Sequence, residues 1–426
     1  MLAEKIKKHF RSGLFHIFGS SVLNKVIGFL SSFILVRILT KAEYGTFTYA
    51  WNIYSIVLIF NSMGMDSAIL QLTSERSGDE EYRKRISAYG ARIGLTVNAI
   101  LGAAILFIGL FAPLKIESAR GLLIMLCALP PLQLITSIAA VNLRSARKNK
   151  EYSRLMMINS ITGLVCTVVC SLLLRDTGMV IAQYLVNTFS VLLCVFFFKS
   201  IWLKADQSIL REDRSPLLKI AMISMLNNSL SQLMYLLDVF VLGMVDPQET
   251  VLASYKVATV IPTALSFIPS SLVIYIYPYF AEHKDDKKWC LEHYKKLVTI
   301  FGACNLAVSA VLFLLAPFII RIVFGAQYLD CLPVFRLLSI NYFFSGTFRV
   351  LSGNLLVTQR KLKINFIIVL ISSSCNIVFD YFFIKQWGSV GAAIATIGVV
   401  FISSVMSTAC LIYTFKKGSS QVENIE

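Results

Sequence analysis

Lys25, Asp238, Arg349 and Asp380 are charged residues inside long apolar stretches of this chain. A charge at the centre of a membrane-spanning helix costs about 2.5–3.5 kcal/mol, so such residues face a bundle interior or a water-filled cavity. Helical spacing agrees. Lys25 shares a face with Ser21, Gly28 and Ser32, at spacings of four, three and seven residues. Arg349 shares one with Asn341, Ser345 and Ser352. Asp238 follows Asn228, Ser231 and Tyr235, and Asp380 follows Ser372 and Asn376. Such stripes would turn polar groups towards a shared cavity. The chemistry on offer is electrostatic. Lys25 and Arg349 can attract an anionic group, Asn228 and Asn376 can meet a polar one, and Asp238 and Asp380 could couple an ion. The competing reading has opposite charges pairing to hold helices together. Asp66 and Arg92 are read as such a pair, and His16 as interfacial.

The elements that must carry these residues are legible in the composition. The chain is 56% hydrophobic and 15% charged, where a soluble domain carries roughly 25% charged residues. Its mean hydropathy is +0.70. A bilayer core needs about 20 apolar residues per spanning helix. Stretches of that order recur at 13–38, 46–71, 87–111, 121–142, 155–174, 178–198, 217–244, 253–279, 297–321, 334–357, 365–384 and 390–414. The expected fold is all-α and integral to the membrane, with twelve transmembrane helices. The first stretch follows basic residues but is too long for a signal-peptide core and lacks a small-residue cleavage site, so it is read as a retained span. Pro130, Pro131, Pro262, Pro269 and Pro317 fall within spans and predict kinks.

The net charge of +16 does not indicate nucleic acid. The basic residues sit in short gaps between spans, with no aromatic-basic binding face. They report orientation. With the N-terminus inside, 28 lysines and arginines fall in cytoplasmic gaps and tails, against nine outside: Arg37, Lys41, Lys115, Arg120, Arg175, Lys256, Arg321, Arg336 and Lys385. Both termini are therefore expected in the cytoplasm.

The two halves resemble each other. Arg147-Lys148-Asn149-Lys150 and Arg360-Lys361-Leu362-Lys363 stand 213 residues apart, as do Gly178-Met179-Val180-Ile181-Ala182 and Gly391-Ala392-Ala393-Ile394-Ala395. Gly45-Thr46-Phe47 and Ala253-Ser254-Tyr255 stand 208 apart. The expectation is two parallel six-helix repeats, 1–198 and 217–426, joined by a cytoplasmic linker at 199–216, with a central cavity between them near the midplane.

The loop residues carry a family resemblance. Arg37-Ile38-Leu39-Thr40-Lys41-Ala42-Glu43-Tyr44-Gly45-Thr46-Phe47 resembles the end of the first span in polysaccharide exporters, with Thr40-Lys41 in place of that family's Gly-Pro. Val323-Phe324-Gly325-Ala326-Gln327-Tyr328 and Trp387-Gly388-Ser389-Val390-Gly391-Ala392-Ala393-Ile394-Ala395-Thr396 resemble two further family stretches. The order holds along the whole chain. It points to the O-antigen flippase side of the multidrug/oligosaccharidyl-lipid/polysaccharide exporter superfamily. The resemblance implies a flippase in the bacterial plasma membrane, moving an undecaprenyl-diphosphate-linked oligosaccharide to the outer leaflet by alternating access. Lys25 and Arg349 would then attract the diphosphate and its sugars. The implied partners are the lipid-linked glycan, membrane lipids and glycan polymerase machinery. Two rivals stand beside it. One is an antiporter for small cationic drugs in the same superfamily; it would favour a net acidic cavity. The other is a membrane glycan polymerase or ligase, which would more typically carry a large outer loop.

No Gly-x-x-x-x-Gly-Lys-Ser/Thr nucleotide loop and no His-Glu-x-x-His metal pair occurs in the sequence. Nine cysteines show no spacing of a metal site or disulfide framework. No cofactor and no enzymatic reaction are expected. The charge count yields a direct test. Impermeant thiol reagents should label Gln327→Cys from outside and miss Gln207→Cys; the reverse pattern would invert the topology.

Overall fold

A computed structural model of the chain describes residues 14–76, 78–201 and 211–422. The expectations for the basic residues 5–11, for Lys204 and Gln207, and for the side chains of His16, Ser21, Ser231 and Tyr235 lie outside what it describes. The described residues contain α-helix, 3₁₀ and π turns but no strand. Seven helical stretches are long and apolar enough to cross a membrane: Lys41–Glu75, Glu80–Phe111, Ala119–Ser145, Asn149–Phe196, Glu249–Glu282, Lys287–Leu314 and Lys363–Lys416. The chain forms two compact units, Met1–Gln232 and Leu233–Glu426.

The first unit holds α1 (Leu14–Ile38), α2 (Lys41–Val57), α3 (Met65–Glu75), α4 (Glu80–Phe111), α5 (Ala119–Met125), α6 (Leu129–Ser145) and α7 (Asn149–Phe196). It also takes the start of α8 (Arg211–Val245), because Leu217 and Ala221 pack with Met65, Ile69, Ile86 and Leu134. The division between the units thus falls within α8, past the polar 199–216 segment. The second unit continues with α9 (Glu249–Leu265), α10 (Phe267–Glu282), α11 (Lys287–Leu314), α12 (Ala316–Val323), α13 (Leu332–Phe344), α14 (Val350–Thr358) and α15 (Leu362–Val422). Its core joins Val273, Phe280, Phe301, Leu355, Ile368 and Leu411 from four of these helices.

Each unit repeats the other's turns. Helices α7 and α15 each carry one residue with left-handed backbone, Arg175 at φ 56°, ψ −132° and Gly388 at φ 55°, ψ −131°. These positions are 213 residues apart, the offset of the sequence repeat. At each, the chain folds back so tightly that a β-carbon on the next helix would collide with a carbonyl. At Gly178 it would lie 2.1 Å from Cys170 O, and at Gly391, 1.9 Å from Phe383 O. Those glycines are also 213 apart, and so are Arg147 (φ 56°) and Arg360 (φ 57°) at the preceding turns. Arg175 adopts a conformation that strains any side chain, and its Nη1 donates to Ile38 O at 2.9 Å, tying α1 to the turn.

Several spans are broken. Span two loses helical geometry at Phe60–Met63, with Ser62 and Met63 left-handed (φ 49° and 52°) and Gly64 following at φ 76°. Span eight breaks between Leu265 and Phe267. Span four passes through a 3₁₀ turn, Leu126–Ala128, and span ten through a π turn, Ser345–Arg349. The prolines mark helix starts more than bends. Pro130 and Pro131 open α6, and Pro317 opens the separate α12 rather than kinking span nine, whose helix ends at Leu314. Proline is tolerated there because the first N–H groups of a helix have no intrahelical partner.

Gly391→Ala should lower the amount of folded protein recovered from membranes, since overpacking of this kind costs about 1–3 kcal/mol. Gly163→Ala is the control, because open space surrounds a β-carbon there. Size-exclusion of detergent extracts reads the comparison, and equal recovery of the two variants would refute the close-packing account.

Candidate functional site

The second unit encloses a cavity of about 310 Å³. Its walls come from the end of α8, from α9 and α10, from the α13–π turn–α14 stretch, and from both arms of α15. Three of the expected site residues line it: Asp238, Arg349 and Asn376. Asp380, one helical turn beyond Asn376, is within hydrogen-bond reach of Asp238. The structure thus brings four of the six expected residues together.

The acidic side is a built cluster. Tyr255 Oη donates to Asp238 Oδ2 at 2.6 Å, and Thr396 Oγ1 lies 2.8 Å from the same oxygen. Asp238 Oδ1 is buried without a partner. Asp380 is 0% exposed, and as a carboxylate neither of its oxygens has a donor. Asn376, 3% exposed, also approaches Asp238. Two carboxylates this close cannot both carry an uncompensated charge in a buried site. They must share a proton or enclose a cation. The donors at hand are carboxylate, amide and hydroxyl oxygens, which suit a hard cation. Among the described residues no group of three or more histidine, cysteine or acidic side chains lies together.

The basic side faces the same space. Arg349 ends the π turn and lines the cavity. Lys256, on α9, lines it as well. Among the described residues, neither has a carboxylate within ion-pair distance. By sequence Lys256 counts among the outer-side charges and not among the site residues; it lies seven residues inside α9, beside Tyr255. A signal was present, since Lys256, Thr259, Thr263 and Ser266 recur at spacings of three, four and three, and all four line the cavity. Thr396 closes the Gly-Ala-Ala motif, and its hydroxyl completes the acidic cluster.

Other expectations fare differently. Lys25 belongs to the first unit, where its side chain is exposed and open space surrounds a β-carbon at Gly28. Ser32 donates to Gly28 O at 3.1 Å. Asn228 is exposed, also in the first unit. Ser352 does not share the face of Arg349: it is 0% exposed, with its hydroxyl 2.8 Å from Tyr294 Oη and 3.0 Å from Thr408 Oγ1. Asp66 does not pair with Arg92. It accepts a 2.6 Å hydrogen bond from Ser137 on α6, while Arg92 is exposed.

The first unit holds a second irregular centre, which the sequence reading missed. At the break in span two, Ser62 N–H donates to Asn98 Oδ1 at 2.8 Å, and Asn98 Nδ2 donates to Asn61 Oδ1 at 2.7 Å and Pro130 O at 2.9 Å. The warning was the Asn61-Ser62-Met63-Gly64 run, a turn composition inside an apolar stretch.

Known proteins match this arrangement. The lipid II flippase MurJ in an inward closed conformation superposes with a TM-score of 0.73 at 18% identity, covering 95% of this chain and 89% of that one. An inward-facing multidrug resistance MATE family transporter of the MOP superfamily superposes with a TM-score of 0.68 at 15% identity, covering 94% and 96%. At such identities the likeness establishes the fold. In sequence, an uncharacterized membrane protein in the cps region of Klebsiella pneumoniae is 26% identical over 409 residues, spanning 91% of this chain and 79% of that protein. The model of the family described as "Polysaccharide biosynthesis protein" matches residues 34–333. The chain is therefore a multi-pass membrane protein of the polysaccharide biosynthesis protein family, with the fold that those two solved structures share.

Proposed function

We propose that this protein is a flippase for an anionic, lipid-linked glycan: an undecaprenyl-diphosphate-linked oligosaccharide carried from the cytoplasmic to the outer leaflet of the bacterial plasma membrane by alternating access. It acts as a carrier, without enzymatic chemistry, and glycan polymerase machinery would take up its product. Both termini would lie in the cytoplasm. The observation that carries this reading is the division of charge in the cavity. Lys256 and Arg349 face its space without acidic partners, while the carboxylates of Asp238 and Asp380 turn to each other. Cations left free in a site of low dielectric attract a diphosphate far more strongly than they would in water. Arginine can grip phosphate through two parallel hydrogen bonds, and lysine acts as a compact point charge. Lys25, in the first unit, is a further cation expected to attract the anionic substrate.

The acidic cluster supplies the coupling. A proton or small monovalent cation held by Asp238, Asp380, Asn376 and Thr396 would remove the repulsion between the carboxylates and tie helices α8, α9 and α15 together. Its departure would leave a buried charge without compensation and loosen that contact. The same cluster gives the drug-antiporter reading its one specific support, since an acidic pair can hold an organic cation. Deletion of the gene followed by lipid analysis separates the two. A flippase defect leaves glycan-linked lipid on the cytoplasmic leaflet; an antiporter defect leaves lipid intermediates at their normal level.

Two substitutions follow. Arg349→Ala should cut surface glycan roughly 10- to 100-fold, the equivalent of one lost charged hydrogen bond at about 1.5–3 kcal/mol. Arg349→Lys should keep part of the activity, and Lys25→Ala should behave like Arg349→Ala at normal protein abundance. Normal export by both alanine variants would remove the cationic-capture reading. Asp380→Asn should leave a protein whose melting temperature in detergent no longer responds to sodium or pH, whereas the parent responds to at least one. Retention of that response in the variant would place the coupling elsewhere.

A further inference from the structure

The π turn at Ser345–Arg349 has a cause in the neighbouring helix. Asn305, on α11, is 4% exposed, and its amide stands directly over Gly346. A β-carbon at position 346 would lie 2.9 Å from Asn305 Nδ2 and 3.1 Å from its Cγ. The same Nδ2 donates to Thr347 Oγ1 at 3.3 Å, and Thr347 is 0% exposed. Asn305 therefore fills the volume that a side chain at 346 would occupy and holds the next residue by its hydroxyl. The backbone answers by widening: Val350 N–H bonds Ser345 O, five residues back, instead of the residue four back.

That widening decides where Arg349 points. In an α-helix each residue advances 100°, so two steps of four residues drift about 80° around the axis. Asn341, Ser345 and Arg349 are two such steps. In a π turn, four residues fall closer to one full turn, and the three line one cavity wall. Ser352, which regular spacing would place beside Arg349, instead faces Tyr294 and Thr408.

We propose that Asn305 is a positioning residue for anion capture: by wedging against Gly346 it maintains the π turn and so aims the Arg349 guanidinium into the cavity. The proposal rests on the reading of Arg349 as an anion-binding cation. A parallel exists in the first unit. Asn98, 207 residues earlier and 0% exposed, likewise braces an irregular segment of a neighbouring span from within. π turns inside α-helices concentrate at functional sites, and here the device that creates one is a single buried amide.

The test reads register and transport separately. In a protein stripped of reactive cysteines, Arg349→Cys and Ser352→Cys are each labelled with an anionic methanethiosulfonate reagent, with Asn305 intact or replaced by alanine. Asn305→Ala should slow labelling at position 349 at least tenfold and raise it at 352, as the turn reverts towards α-helix. Unchanged rates at both positions overturn the proposal. Surface glycan is then measured for Asn305→Ala, Arg349→Ala and the double variant. Asn305→Ala should export poorly, and adding it to Arg349→Ala should cause no further loss. Additive losses overturn the positioning role. Normal export by Arg349→Ala, with the labelling shift still present, would instead remove the anion-capture reading and leave the geometry standing. If Asn305→Ala does not accumulate, Asn305→Ser, which keeps a donor but loses the wedge, gives the same labelling comparison.

Discussion

The constraint on which this structure depends is that backbone N–H and C=O groups inside a bilayer have no water to bond. A continuous helix meets it automatically. A broken one must find partners elsewhere, and this chain breaks helices in both units. At the span-two break and at the π turn of span ten, buried polar side chains from neighbouring helices meet the irregular segment. Asn98 caps Ser62 and reaches Asn61 and Pro130, Ser229 donates to Ile59 O, and Asn305 braces the turn at Gly346 and Thr347. Irregular backbone at membrane depth is tolerated only where protein or a cavity receives it, and paired interruptions in corresponding spans point to a binding region. Spans two and eight, and four and ten, are such pairs here.

Within the second unit the same constraint arranges the charges. Asp238 and Asp380 come from different helices and meet because the hairpin of α15 folds closely enough to set Asn376, Asp380 and Thr396 near the end of α8. Tyr255 and Lys256 are consecutive on α9, so one helix carries both a donor to the acidic pair and a cation of the cavity. The donor to the acidic pair and Lys256 are thus separated by a single peptide unit on α9.

Much of this was legible in the sequence, and the reasons are specific. Period and length disclosed an all-α, membrane-spanning chain, because the bilayer imposes both. The 213-residue offset disclosed the repeat, and the structure places the same turn geometry at Arg175 and Gly388 and the same close approach at Gly178 and Gly391. Intramembrane charge singled out Asp238, Arg349 and Asp380, and the polar stripe before Asp380 added Asn376; Asp238, Arg349 and Asn376 line one cavity. What stayed hidden required knowledge of which helix faces which. Lys256 looked like an outer-side charge because it lies near a span end, and Asp66 looked like a partner for Arg92 because nothing in one sequence shows Ser137 beside it. The face expected for Ser352 was wrong for a different reason: a regular helical period was extrapolated through a π turn.

The hairpins of α7 and α15 carry a consequence for how the protein is made. Each closes through contacts between residues only eight apart, Cys170 with Gly178 and Phe383 with Gly391. Such local closure costs little chain entropy and needs no distant segment to be present. Each pair of crossings can therefore enter the lipid as a preassembled unit while the ribosome is still adding the residues that follow. The interhelical amide contacts, whose partners lie some thirty to forty residues apart, must be completed afterwards. Biogenesis would then proceed in two stages set by the backbone itself, with insertion governed by the turns and maturation by the asparagines.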